Sequence, residues 1–393
     1  MRDLGKRSFI LWLVVATWPT LAVAQSPEEL EAARQQSFRA GMEALVADLN
    51  ENSYRSFIRS IDQADMLERI YGLRLIDQQV KKSFGERLEY TWEDLIRSGF
   101  PQTEDGLGAT LLGVESRGNL GRAVVRFDLP DFQFGYHEYD LRLDDGGRMY
   151  VVDWVDYLAG KKFTDSVGES LVMGMPGKPA MRKLLDFRNV NDVELFQFGE
   201  LLKAARDGRL TRYLEILEDM DERFQRQRIV VESTVRVAKR ARKRRAMLAG
   251  LETMAEYYPN EPLYALMLLD HYFPARKYEA ASKALLAAYR KIGFDDAAME
   301  ARLSAAALVM GNPQDAAGYA DRALELEPGL ELAWWSALNA RATLEDFTAA
   351  VEALQFLESE FGYELTPEAL GRNPTYRGLL ASAEYGAWRE SGQ

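Results

Sequence analysis

The chain contains no cysteine and only two histidines, His137 and His271, among 393 residues. Without cysteine there is no disulfide framework and no thiol to carry a lipid behind a signal segment. Two histidines and no thiolates are too few of the usual ligands for a transition-metal centre, and no His-Glu-x-x-His spacing occurs, so neither metal nor cofactor is expected. Also missing are an EF-hand loop, a Gly-x-Ser-x-Gly elbow, a phosphate loop and a dinucleotide fingerprint. Gly106-Leu107-Gly108 lacks the third glycine and precedes a strand pattern. These absences remove the common routes to catalysis and point to a non-catalytic protein.

Long apolar runs are scarce as well. Beyond the first residues no stretch approaches the roughly 20 apolar residues of a membrane-spanning helix. The start itself has the three parts of a secretory signal. Arg2, Lys6 and Arg7 are the positive region, Phe9 to Val15 the apolar core, and Ala22-Val23-Ala24 a small-x-small cleavage site before Gln25. Residues 1–24 are therefore expected to be a signal peptide and the mature chain periplasmic or secreted; a segment kept as a membrane anchor is the alternative. The net charge of −12 becomes more negative without that segment, so the overall field repels nucleic acid and none is expected as a partner.

What is present begins with helical periodicity. Ser26-Pro27-Glu28-Glu29 is an N-cap, a proline at the first helical position and acids in the first turn. The apolar positions Leu30, Ala33, Met42, Leu45, Val46 and Leu49 share a face up to about Leu49. A second helix is expected from Tyr54, a third from Ala64 to Lys82 including Leu75 and Ile76, and a short one from Tyr90 to Ile96 closed by Gly99 and Pro101. From Gly108 to Tyr157 the period changes to two. Strands are expected at 109–116, 122–128, 134–143 and 148–157, with turns at Arg117-Gly118-Asn119 and Asp144-Asp145-Gly146-Gly147. This hairpin would place His137, Tyr139, Leu141 and Leu143 with Tyr150, Val152 and Trp154 on a buried face. Glu138, Asp140, Arg142 and Asp153 would then lie on a wet one. Leu158 to Lys183, rich in glycine and proline, reads as a linker or covering segment. Everything after it is helical.

The order of three helices and a curved antiparallel sheet over residues 26–157 resembles the nuclear transport factor two-like, or cystatin-like cone, superfamily. Asn50-Glu51-Asn52-Ser53-Tyr54 and Met149-Tyr150-Val151-Val152-Asp153-Trp154 carry the likeness. The resemblance implies a pocket between helices and sheet, which would bring His137, Tyr139 and Trp154 together as a small-molecule or enzymatic site. Aromatics on the inward side of a strand are otherwise simply core.

In the C-terminal part, Ala281 and Ala288 recur as Ala316 and Ala323 and again as Ala350 with Leu357, a step of about 34 residues. Residues 262–295, 297–330 and 331–364 form three clear units within a helical region of 184–393, and two weaker hairpins precede them. The middle unit, with Leu303, Ala307, Gly311-Asn312-Pro313, Ala320 and Pro328, resembles the tetratricopeptide family, as does Trp334 in the next. Ser304 and Arg341 depart from its pattern. The resemblance implies stacked helical hairpins that hold a protein or peptide partner, with Glu300, Asn339 and Arg341 as groove candidates. An all-helical bundle with coincidental alanine spacing is the other reading.

The sharpest charge feature is Lys239-Arg240-Ala241-Arg242-Lys243-Arg244-Arg245. It could contact lipid headgroups at a membrane surface or an acidic partner. Alternatively it is a solvated turn that pairs with Glu218, Asp219, Asp221 and Glu222. The fold class expected is an α+β N-terminal module followed by an all-α helical-hairpin solenoid, predominantly α overall. The function expected is scaffolding in a bacterial cell envelope.

Overall fold

The computed structural model describes residues 26–72, 76, 78–101, 108–173 and 190–391. The signal segment, Leu75 and residues 174–183 of the expected linker lie outside them. The chain is an α+β module followed by a helical solenoid, and helix predominates.

Helix α1 (Pro27–Asn50) starts on a full capping box, in which Ser26 and Glu29 satisfy each other's amides. Short α2 (Arg55–Ser60) and α3 (Gln63–Gly72) follow. Next, α4 (Gln78–Arg97) runs unbroken from within the helix expected to end at Lys82 through the one expected to begin at Tyr90. Only Gly85 interrupts its helix formers, and a lone glycine costs too little to stop a helix.

The sheet is an antiparallel meander in the order β1 (Gly108–Arg117), β2 (Leu120–Leu129), β3 (Gln133–Leu143), β4 (Met149–Asp156) and β5 (Lys161–Lys162). Gly118 and Gly147 take the positive φ their hairpins require. Two features differ from the sequence reading. First, the β3–β4 register shifts at Asp140/Leu141, leaving Val152 without a partner. This bulge turns Val151, instead of Val152, into the helix-side core with Leu141 and Trp154. Second, the face carrying Glu138 is not wet. Val124, Phe134, Tyr136 and Tyr157 on that face share one apolar core with the helical part. The sheet is therefore covered on both sides: α1 to α4 and α5 (Phe163–Met173) on one, the solenoid on the other.

The solenoid is a run of antiparallel hairpins: α6 (Asp192–Arg206) with α7 (Leu210–Glu218); then, after short α8 (Glu222–Gln225), α9 (Arg228–Arg240) with α10 (Arg244–Tyr257); α11 (Ala265–Tyr272) with α12 (Tyr278–Ile292); α13 (Ala297–Val309) with α14 (Pro313–Leu326); and α15 (Glu331–Thr343) with α16 (Phe347–Phe361). Short α17 (Pro367–Leu370), α18 (Arg377–Leu380) and α19 (Ala383–Ser391) close the end; Leu370 and Leu379 pack into the last apolar cluster with Leu354 and Leu357. The recurring residues Ala281, Ala288, Ala316, Ala323, Ala350 and Leu357 are all fully buried. Their small side chains let neighbouring helices approach closely.

The backbone carries the same period. Within each hairpin the turn contains one left-handed residue: Gly208, Arg242, Arg276, Gly311 and Glu345. These repeat at about 34 residues, the spacing of helix-turn-helix repeats, and they extend the pattern to the two hairpins whose side chains show it least. A non-glycine residue there costs on the order of 1–2 kcal/mol. Glu345→Gly is accordingly expected to stabilise the fold by about 0.5–1 kcal/mol after the entropy cost of glycine; urea unfolding checks it, and a loss of stability would contradict the strain.

Polar groups lock sheet to solenoid. Arg126, fully buried on β2, pairs with Asp296 at 2.8 Å, Asp128 at 2.8 Å and Glu327 at 2.9 Å. The Tyr136 hydroxyl donates to Asp296 at 2.6 Å, and Asp296 also caps α13 by accepting from the Met299 amide. Burial and the Asp296 carboxylate hold the Tyr136 hydroxyl well above its ordinary pKa, so it remains a donor. Arg122 donates to the last carbonyls of α12, on Lys291 at 2.9 Å and Ile292 at 2.7 Å. Glu138 accepts from Lys291 and from the Tyr157 hydroxyl, each at 2.8 Å. At the far end Lys161 pairs with Glu232. Beside it Gly160 lies so close to Tyr264 that a Cβ would stand 2.7 Å from the ring.

Candidate functional site

The sheet–helix interior brings His137, Tyr139 and Trp154 together, all fully buried. His137 Nδ1 lies 3.0 Å from the Tyr139 hydroxyl, and the imidazole sits among Phe100, Phe127 and Trp154. Burial pushes the imidazole pKa down to about 3, which keeps it neutral. A general base working near neutral pH needs both access and a pKa close to 7; His137 as placed has neither. Its Nε2 has no hydrogen-bond partner among the described residues, nor has Trp154 Nε1. Trp154, stacked on Phe163 at 4.0 Å, also lines a cleft of about 860 Å³ between α4, α5 and the sheet, with Phe84, Leu95, Leu171 and Asp156.

The expected groove residues turn inward. Glu300 is fully buried and holds the Tyr289 hydroxyl at 2.8 Å and Arg322. Asn339 accepts from the Tyr376 hydroxyl at 2.6 Å, and Arg341 pairs with Asp321 at 2.6 Å and Asp346 at 3.3 Å. All three tie solenoid helices to one another; none presents a free polar group of the kind the sequence reading sought.

Lys239, Arg240, Arg242, Lys243, Arg244 and Arg245 are all exposed around the α9–α10 turn. None pairs with a carboxylate among the described residues. Of the acids expected as partners, Asp221 and Glu222 pair with Arg223 and Arg226, while Glu218 borders a hollow that Lys243 and Arg245 also line, without an ion pair to either. Arg240 donates to the Arg206 carbonyl at 3.2 Å.

Part of this charge opens onto a groove that no local sequence signal reveals. The first helices of successive hairpins, α9, α11 and α13, form its floor, and the tip of the β2–β3 hairpin overhangs it. Two adjoining hollows of about 420 and 500 Å³ share Gln133, Met247, Leu269, Asp270 and Arg302. Leu266, Met267, Phe273 and Phe134 supply apolar wall. Six basic side chains, Lys161, Arg236, Lys239, Arg240, Arg244 and Arg302, stand against three acidic ones, Asp156, Glu232 and Asp270, so the groove is locally positive on an acidic protein. Arg302 crosses beneath the hairpin, donating to the Phe132 carbonyl at 3.1 Å with its guanidinium 5.0 Å from the Phe134 ring centre. Asp156 borders this groove and the sheet–helix cleft alike; burial pushes its carboxyl up to about 6, against the pull of the Leu158 amide, which it accepts at 2.7 Å, and of Lys239. Among the described residues no cluster of acidic and histidine side chains is arranged to hold a metal, and no helix is long and apolar enough to cross a membrane.

No protein-family model matches the chain, and no curated protein matches it. Among solved structures it is similar to the one titled MamA MSR-1 C2, at 18% identity and a TM-score of 0.31; the match covers 43% of this chain and 94% of that chain.

Proposed function

We propose that this protein is an exported, non-catalytic scaffold whose tetratricopeptide-like repeats hold another protein in the cell envelope. The supporting observation is the groove along α9, α11 and α13. It is apolar at its floor, charged at its rim, and flanked by Arg236, Lys239, Arg240 and Arg244, which form no ion pair among the described residues. Protein-binding surfaces combine an apolar core with a polar rim in this way. The sheet module serves as a rigid brace, since it shares a core with the solenoid and covers one side of the groove. The basic α9–α10 turn is a second point of contact, to the partner or to the membrane surface.

Affinity capture with the whole mature chain from an envelope fraction, followed by native mass spectrometry, tests the reading. A discrete protein bound in fixed stoichiometry is expected. Recovery of the chain alone, or with non-stoichiometric chaperones, would count against it.

The cleft at Trp154 favours a second reading, a small-molecule site in a cone-type module with the repeats as accessory. The same spectra discriminate the two, because a co-purifying metabolite with no protein partner would support the pocket.

A further inference from the structure

We propose that the groove between the β2–β3 hairpin tip and helices α9, α11 and α13 docks an acidic, apolar peptide segment of the partner, its carboxylates on Arg236 and Lys239 and its apolar side chains against Phe132, Met267 and Leu269. The proposal rests on the scaffold reading and goes further by fixing site and chemistry.

Three observations converge on it. First, cations outnumber acids in the groove, and among the described residues neither Lys239 nor Arg236 forms an ion pair: Lys239 is near enough to Asp156 only to lower its carboxyl pKa, and Arg236 donates to the Ser233 hydroxyl at 3.2 Å. Ion pairs tie up much of the chain's basic surface elsewhere, so these cations are conspicuous for being left open. Second, the floor is Leu and Met on a rigid helical face, a surface that adapts to apolar side chains of differing shape. Third, the hairpin tip is built against its own backbone preference. Asp131 and Phe132 both adopt left-handed conformations, with φ of 59° and 55°, and such a position disfavours a bulky residue. Phe132 is nevertheless 41% exposed at the mouth of the groove, while its carbonyl is pinned by Arg302. A residue that serves neither the turn nor the core is placed to meet something outside the chain. Charge complementarity selects an acidic occupant, and the apolar floor selects a peptide over a bare anion.

The test uses a fluorescein-labelled peptide of alternating leucine and glutamate, with free or amidated C-terminus, and the same peptide with lysine in place of glutamate. Anisotropy against the whole mature chain should show binding of the acidic peptide only, weakening as salt is raised. Loss on amidation would assign the contact to a terminal carboxylate; no loss would assign it to side chains, and either supports the site. Arg236→Gln with Lys239→Gln should weaken binding roughly tenfold or more, the effect of losing charge-assisted hydrogen bonds. Arg242→Gln with Arg245→Gln, outside the groove, should leave it nearly unchanged. Phe132→Gly separates binding from folding, because glycine relieves the turn: it should weaken binding without lowering the thermal midpoint.

Equal affinity for both peptides, or a loss confined to the 242/245 variant, would overturn the proposal. So would binding of the chain to vesicles of phosphatidylglycerol and phosphatidylcholine with no binding of the acidic peptide. If the native partner is retained equally by wild type and the 236/239 variant, the groove assignment falls while the scaffold stands; if no partner is retained at all, the scaffold falls.

Discussion

Replacing Arg126 by methionine is expected to cost about 3–5 kcal/mol of stability, the usual penalty for removing one partner of a buried ion pair. The guanidinium is fully buried, and Asp296 opposite it is equally so. Methionine fills similar space but leaves the Asp296 carboxylate facing Tyr136 and the α13 amides without its counter-charge. Part of the loss should return in the double variant Arg126→Met/Asp296→Asn, since a neutral amide still accepts from Tyr136 and Met299 and carries no buried charge. Urea unfolding of the four proteins gives the coupling directly. Additive effects would mean that the pair is not the lock between sheet and solenoid. Cooperativity is a further readout: because the two parts share an apolar core, fluorescence and circular dichroism should report one transition in the wild type.

The second large effect is a pH dependence carried by His137. Its folded pKa of about 3 lies below the unfolded value of about 6.5. Between these values the unfolded state binds the proton and the folded state does not, so stability falls as pH drops below about 6.5. From pH 7 to pH 5 the loss is about 2 kcal/mol at 1.36 kcal/mol per unit. Asp156 acts in the opposite direction. Its carboxyl, pushed up to about 6 by burial, binds its proton more tightly when folded, so its contribution grows as pH falls through 6. Other shifted groups contribute as well, among them His271, whose imidazole pKa burial also lowers, so the raw pH profile is a sum of opposing effects and the comparison that isolates His137 is wild type against His137→Phe or His137→Gln. The stability lost between pH 7 and pH 5 should be about 2 kcal/mol smaller in either variant. An identical loss would show that the imidazole is solvated, and would reopen a role for it near neutral pH.

The elements of this fold were legible where a strong local period existed. Alternation over 108–157 marked the strands, and the alanine spacing marked the last hairpins, because close helix packing admits only small side chains at those positions. The double burial of the sheet was missed, although a signal for it was present. Ala123-Val124-Val125 is an uninterrupted apolar run, and such runs belong to strands covered on both faces. With Phe134 and Tyr136 on the supposed wet side, the run announced a partner for that face; it could not announce that Asp296 would meet Arg126, because nothing local to either residue encodes a contact 170 positions away. The β3–β4 bulge escaped for a similar reason: Tyr150-Val151-Val152 is apolar on both phases, so alternation does not fix which residue is skipped.

The candidate site was legible only in part. The basic run at 239–245 stands out in the sequence, but that it forms no ion pair among the described residues is a property of the packed solenoid. Arg236 and Arg302 come from different hairpins and Phe132 from a strand turn in the other module, so their juxtaposition exists only once sheet and solenoid have docked. Glu300, chosen as a polar residue on a first helix, faces Tyr289 and Arg322 inside the stack.

The most direct test of the scaffold assignment is photocrosslinking in living cells from a benzophenone amino acid at Asp270, an exposed position in the groove, against the same group at Leu326, exposed on α14. One discrete crosslinked protein from Asp270 and none from Leu326 is the expected result; no adduct from Asp270, or the same adducts from both positions, would contradict it.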